Sequence, residues 1–251
     1  WKTGTSFSND ASATGIGSLD SSGSVSDTAG ISIVSYTGNA TASTLKHGLS
    51  TKPNMIIVKG RIAARNWIVG HNDEGWSKST SMDSAATFSS QTHWNNTDPT
   101  TSVFTIEGGA NSNVNTDSAA YISYCFSDRQ GFLKTGKYVG NGSNDGSFCF
   151  TGMRPAFLLL KRTDSATEWQ LIDNERSDQG GFNVIDKVIA PSSVSFPDYD
   201  AGGDWFADFY SNGFKLRTTG AAGNNSGSTF IYLAFAESPF VNSKGVPTNA
   251  R

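Results

Sequence analysis

The chain has 251 residues, with 19 basic against 22 acidic side chains for a formal net charge of −3, and only 16% of its residues are charged. That balance gives no electrostatic basis for binding nucleic acid or an anionic lipid surface, and no run approaches the roughly 20 apolar residues a membrane helix needs. A chain rich in Ser, Thr, Asn and Gly is poor material for helices and suits short strands joined by polar turns.

The chain begins at Trp1 with neither Met nor a secretion signal, and is read as a fragment or a processed product. Residues 1–29 are almost all Ser, Thr, Gly, Ala and Asp, with Trp1, Phe7, Ile16 and Leu19 as isolated apolar points. Such a segment buries little by itself, so it is a linker or an edge strand. From Gly30, Ile31 and Ile33 alternate with Ser32 and Val34, which predicts a strand ending at the turn Gly38-Asn39. Met55 to Val58 is a continuous apolar run after Pro53 and predicts a strand covered on both faces. A polar loop over 60–66 returns the chain into Trp67-Ile68-Val69, as a hairpin. Residues 70–101 are the least regular and hold His71, Asp73, Glu74, Trp76, His93 and Trp94 among Ser, Thr and Asn. Long polar segments with exposed aromatics are where a β scaffold usually carries its binding chemistry. Two strands follow, Val103 to Ile106 and Ala120 to Phe126, and alternation in the latter predicts Ile122, Tyr124 and Phe126 on the core side.

The plan then repeats. Pro53, Lys59 and Trp67 return as Pro155, Lys161 and Trp169 at one offset of 102 (155−53, 161−59, 169−67), and Tyr36-Thr37-Gly38-Asn39 returns as Tyr138-Val139-Gly140-Asn141. Later anchors are offset by 109 to 110 (235−126, 214−104), which places an insertion within 174–208. The expected architecture is all-β: two tandem β-sandwich modules, jelly-roll-like and related by internal duplication, over residues 30–130 and 131–240, with a lead at 1–29 and a polar tail at 241–251. The Pro-to-Trp hairpin is expected as the central pair of each sheet.

Candidate chemistry is sparse. His71, Asp73 and His93 could form an acid/base or metal cluster, but their spacing matches no ligand motif, and the second module has Asp173 where the first has His71. No catalytic residue and no enzyme activity are therefore expected. Asp198, Asp200 and Asp204 are oxygen ligands of the kind Ca²⁺ takes, without the remaining ligands of a calcium loop. Trp76, Trp94, Tyr199 and Trp205 lie in polar loops, where rings pack on sugar C–H faces while Asn, Asp and Ser bind hydroxyls; the other reading is that each covers a sandwich edge or a subunit interface. Trp67 and Trp169, at equivalent positions, are expected in the core. Cys125 and Cys149 read as buried free thiols, or as a single bridge between the modules.

Several separated motifs carry a family resemblance. Tyr36-Thr37-Gly38-Asn39, His47-Gly48-Leu49 leading to Pro53, Ile56-Ile57-Val58-Lys59 with Trp67, and the closing run Phe230 to Phe240 resemble a domain family without assigned biochemical function. That family is met mainly in marine and cyanobacterial bacteriophage proteins of the tail-fibre and virion structural kind. The resemblance implies a virion location, other virion subunits as partners, no defined catalytic residues and, by analogy with tail fibres, a homotrimer. In the second module Cys149-Phe150-Thr151-Gly152 replaces His47-Gly48-Leu49-Ser50, so whatever the histidine does is not required twice. The expected function is receptor binding to a host-surface glycan by a virion appendage. Its rivals are a purely structural role in capsid decoration or tail assembly, and a glycan depolymerase using His71, Asp73 and His93.

Overall fold

The computed structural model describes residues 4–62, 64–110, 112–176, 183, 185–192, 199–200 and 206–239. These residues are almost wholly β, with a single-turn helix α1 (Ala11–Thr14), a 3-10 turn (Asn72–Glu74) and no helix long and apolar enough to cross a membrane. The chain separates into two compact units, one of Trp1–Met82 with Phe88–Asp128 and one of Asp83–Thr87 with Arg129–Arg251.

The first unit contains β1 (Thr5–Asn9), β2 (Ser21–Ser26), β3 (Ile31–Thr37), β4 (Ser43–Lys46), β5 (Met55–Gly60), β6 (Ile68–His71), β7 (Lys78–Ser81), β8 (Ser89–Ser90), β9 (Val103–Ile106) and β10 (Ala120–Phe126). Eight of them form an antiparallel sheet in the order β1-β2-β3-β10-β5-β6-β7-β8, and β4 pairs with β9 as a separate ribbon. The lead contributes β1 and β2 to the sheet edge, with α1 between them capped by Asp10, whose carboxylate accepts from Ala13 N at 3.0 Å. Met55 to Val58 are all buried, as a doubly covered strand requires. Leu45, Phe104 and Ile106 from the ribbon share one core with Tyr36, Ile56, Val58, Tyr121 and Cys125 from the sheet, a sandwich-like layering.

The structure corrects three expectations: the central hairpin, the inward face of β10 and the core position of Trp67. The Pro-to-Trp hairpin β5–β6 is not the central pair of the sheet, which is β10–β5. The core face of β10 is Tyr121, Ser123 and Cys125, while Ile122 and Tyr124 are only partly buried on the other side. Both faces carry bulky residues, so the choice falls to hydrogen bonding. Tyr121 stacks on Tyr36 at 5.2 Å and 12°, and its hydroxyl donates to Ser112 O at 3.2 Å and accepts from Thr116 N at 2.9 Å, so its burial leaves no polar atom unsatisfied. On the other face Tyr124 stacks with Trp67 at 6.4 Å, and the Lys59 ammonium sits 5.5 Å from the Trp67 ring. Trp67 is thus partly exposed, whereas Trp169 is 1% exposed.

The second unit contains β11 (Leu133–Val139), β12 (Phe148–Phe150), β13 (Pro155–Arg162), β14 (Gln170–Asp173), β15 (Lys187–Val188), β16 (Tyr199–Asp200), β17 (Ala207–Tyr210), β18 (Gly213–Leu216) and β19 (Thr229–Ala236). They pair as β11-β19-β13-β14, β12-β18-β17 and β15-β16. The closing strand β19 lies between β11 and β13, as β10 lies between β3 and β5. Local contacts match as well. Tyr138 stacks on Phe230 at 5.0 Å and donates to Gly223 O at 2.6 Å, where Tyr36 donates to Val114 O at 2.7 Å. The core joins Tyr138, Leu158, Leu160, Phe230 and Tyr232 from one sheet to Cys149, Phe209, Phe214 and Leu216 from the other.

Cys125 and Cys149 are both buried free thiols, so the bridge reading falls away; burial pushes each up to about 12. Lys161 is fully buried, donates to Ala85 O at 3.0 Å and to Thr167 O, and is pushed down to about 8 by burial. Ala85 O also accepts from Thr167 N at 3.0 Å, which is how the segment Asp83–Thr87 joins the second unit.

Candidate functional site

The structure places the predicted aromatics of the first unit in its core. Trp76 is 2% exposed and Trp94 is 0% exposed, and they meet edge to face at 5.4 Å and 88°. Gly70 on β6 makes room for them: a Cβ there would lie 2.6 Å from Trp94 and 2.7 Å from Trp76. A sugar ring cannot stack on indoles that are already packed, so the expectation of exposed Trp76 and Trp94 is corrected. Tyr199 and Asp200 form the short strand β16, paired to Val188 and Lys187, and only their backbone is described. Trp205, Asp198 and Asp204 lie outside the described residues.

The histidines are structural in their contacts. His71 is buried, and its Nδ1 accepts from Asp73 N at 3.2 Å, capping the 3-10 turn. His93 joins different partners: its Nδ1 pairs with Ser79 Oγ at 2.8 Å and its Nε2 faces Glu107 Oε1 at 3.8 Å. Glu107 also accepts from Ser112 Oγ at 2.9 Å and from Thr92 Oγ1. A serine, histidine and carboxylate in sequence is the connectivity of a nucleophilic triad, but Ser79 is 1% exposed and its hydroxyl cannot meet a substrate. The network instead ties the segment before His93 to β7 and to the turn at 107–112. Burial lowers the His93 pKa against the opposing pull of Glu107. Among the described residues no group of three or more His, Cys, Asp or Glu side chains is placed to hold a metal ion.

A polar groove of about 650 Å³ lies along β1, β2 and β3, lined among others by Asp10, Ser18, Asp20, Ser22 and Ser35. Its carboxylates are used by neighbouring groups of the same segment. Asp10 Oδ1 accepts from Ser12 Oγ and Ala13 N, and Asp20 Oδ1 accepts from Ala11 N at 2.8 Å.

The most distinctive surface is the outer face of the β12-β18-β17 sheet. Cys149 points into the core, so alternation turns Phe148 and Phe150 outward, 47% and 65% exposed. Across the sheet Phe148 pairs with Lys215 and then Asp208, and Phe150 with Gly213 and then Tyr210. Gly213 is required by its surroundings, since a Cβ there would lie 2.2 Å from Cys149 O and 2.8 Å from the tip of Phe148. The Phe148 ring therefore leans across it and meets Tyr210 at 6.0 Å and 69°.

Beside these rings runs a closed charge network. Lys215 Nζ lies 2.5 Å from Asp145, Arg217 Nη1 lies 3.2 Å from Asp145, and Arg217 Nε lies 2.7 Å from Asp208. The Tyr210 hydroxyl donates to Asp208 at 3.1 Å and accepts from Arg217 Nη2 at 3.0 Å. The hydrogen bond from Lys215, then its charge and that of Arg217, hold Asp145 below the usual carboxylate range, and Asp208 raises Arg217 further. Exposed ring faces beside fixed donors and acceptors can hold a ligand that is apolar on its faces and hydroxylated on its rim.

Sequence reasoning passed over this face, yet a signal was present. With Cys149 in register with buried His47 (149−47 = 102), Phe148 and Phe150 occupy the outward positions that hold Lys46 and Gly48 in the first unit. A Phe-Cys-Phe strand with its central residue buried turns both rings away from that core.

Neither curated proteins nor solved structures match the chain. The model of the domain of unknown function DUF7483 matches residues 1–239, and the chain belongs to that family.

Proposed function

We propose that this chain is the recognition part of a bacteriophage virion appendage of the tail-fibre type, which binds a glycan on the host surface without cleaving it. The observation supporting this most directly is the pair of exposed rings Phe148 and Phe150, with the partly buried Tyr210 beside them, set against an ordered polar network. Exposed aromatic clusters on a soluble surface mark interaction sites. In this reading the chain is a tandem duplication of one jelly-roll-like β-sandwich. The common offset, the shared strand order and the matched Tyr36 and Tyr138 contacts support it. The first unit keeps the scaffold, and the second carries recognition where β12 departs from β4. A homotrimer and contacts with other virion subunits belong to the same proposal, by analogy with tail fibres.

Binding of the labelled chain to host cells tests it. Phe148→Ser with Phe150→Ser should weaken cell binding at least about tenfold while leaving thermal unfolding within about 0.5 kcal/mol, as exposed substitutions do. Cell binding unchanged by that pair overturns the proposal. A second reading, assembly with another virion subunit, is favoured by β12 lying at the edge of its sheet, where a foreign strand can add. Imaging of labelled virions separates the two: a distal tip supports recognition, and a regular lattice position supports assembly.

A further inference from the structure

Resting on that reading, we infer that the β12-β18-β17 face selects an uncharged saccharide over an acidic one. The polar half of the face holds two cations, Lys215 and Arg217, and two anions, Asp145 and Asp208, each engaged with an opposite charge. An anionic sugar would have to displace a carboxylate from Arg217 or Lys215 and then lie beside it, and a cationic ligand meets the mirror-image penalty. A neutral sugar hydroxyl does neither. It donates to a carboxylate oxygen of the exposed Asp145 and accepts from Arg217 or Lys215 at once, so adjacent hydroxyls fit these groups without breaking the pairs.

The network is also preorganised. Asp208 is 6% exposed and is held by Arg217 and by the Tyr210 hydroxyl, so little side-chain freedom remains to be lost on binding. The apolar half complements it, because the rings of Phe148 and Phe150 offer uncharged faces to the C–H side of a pyranose. Three strands at the usual spacing span about 10 Å, room for roughly one or two sugar rings.

The test is calorimetry of the whole chain against two probe sets at matched length: neutral glucan, galactan and mannan oligosaccharides, and acidic oligouronates. The expected result is binding to at least one neutral probe, changed less than about twofold between about 50 and 500 mM salt. Phe150→Ala should weaken it about tenfold, and Tyr210→Phe, which removes the hydroxyl bridging Asp208 and Arg217, several-fold. Asp145→Asn, which leaves the cations in excess, should raise affinity for the oligouronates; an effect on folding alone would not change selectivity. A preference for oligouronates that fades with salt overturns the inference and leaves glycan recognition standing. Failure of every saccharide to bind, with host-cell binding still lost in the Phe148 and Phe150 double variant, overturns both in favour of a protein receptor.

Discussion

At the scale of single residues, the buried side chains of the first unit answer to pH and to space. His47 is fully buried, with Nε2 facing Thr100 O at 3.2 Å and Nδ1 accepting from Leu49 N at 3.1 Å, so the ring is neutral and donates through Nε2. Burial lowers its pKa to about 4, against weaker upward pulls from Thr100 and Asp27. A folded-state value below that of the unfolded chain means that protonation favours unfolding. The stabilisation is complete above the unfolded value near 6.5 and is lost as pH falls from there to about 4, by about 3 kcal/mol in all. His47→Asn keeps an acceptor for Leu49 N and removes the titration. Urea unfolding from pH 7 to pH 4 should therefore show a shallower loss in the variant, read as the difference between the two proteins. Trp94 and Trp76 answer to space. Gly70→Ala brings a methyl group to 2.6 Å from Trp94 and should cost about 1–3 kcal/mol by overpacking, with a matching shift in the denaturation midpoint. Substituting either tryptophan therefore measures folding, and a loss of ligand binding in Trp94→Ala would follow from unfolding.

At the scale of elements, the turn after the first core strand of each unit is built around a buried asparagine. Asn115 accepts from Asn39 N at 2.9 Å and donates to Thr41 O at 2.7 Å and Glu107 O at 2.8 Å; Asn224 accepts from Asn141 N at 3.0 Å and donates to Ser143 O at 2.8 Å and Thr218 O at 2.9 Å. Both are 0% exposed. Gly38 and Gly140 admit the approach, since a Cβ would lie 2.2 Å from Thr116 O in one and 2.3 Å from Asn225 O in the other. Asn115→Ala and Asn224→Ala should each cost about 2 kcal/mol in chemical denaturation, because each removes a fully buried side chain that serves two carbonyls and an amide. Asn115→Asp should cost more, since a carboxylate cannot donate to Thr41 O or Glu107 O. These glycine–asparagine turns were legible as repeated motifs, and dense alternation set the limits of β9 and β10 at Val103–Ile106 and Ala120–Phe126, as found. The β5–β6 pair was legible as a local hairpin, but partners distant in the sequence were not, because pairing between distant segments is settled by register and packing, which no local pattern encodes. The inward face of β10 hid for a related reason: the partners of the Tyr121 hydroxyl lie in the preceding turn, invisible to a period of two. The aromatic face was readable only by carrying the buried position of His47 across to Cys149, a step that needs the repeat and burial together.

At the scale of the whole molecule, chain order and unit membership part company at Asp83–Thr87, which belongs with residues after Arg129. Lys161 shows how this is held. A fully buried ammonium is costly unless its donors are used, and here they go to Ala85 O and Thr167 O, while Thr167 N reaches the same Ala85 carbonyl. Lys59 makes the corresponding bond to Arg65 O within its own hairpin and adds the contact with Trp67, so the first unit needs no such segment for its lysine. The second unit should therefore not be autonomous from residue 129 onward. Excising 129–251 removes Ala85 and leaves the Lys161 ammonium and Thr167 N short of an acceptor in a buried place, which should lower stability by about 2–4 kcal/mol relative to the same unit in the full chain. A cycle isolates the cause. Lys161→Met in the full chain should cost about 2 kcal/mol, since two carbonyls lose a donor, and less by at least about 0.5 kcal/mol in 129–251, where one of those carbonyls is already gone. Urea unfolding followed by tryptophan fluorescence reads both, Trp169 being 1% exposed and so sensitive to loss of that core. Equal costs in the two settings would mean that Asp83–Thr87 contributes nothing through Lys161, and the second unit would then stand as a domain in its own right.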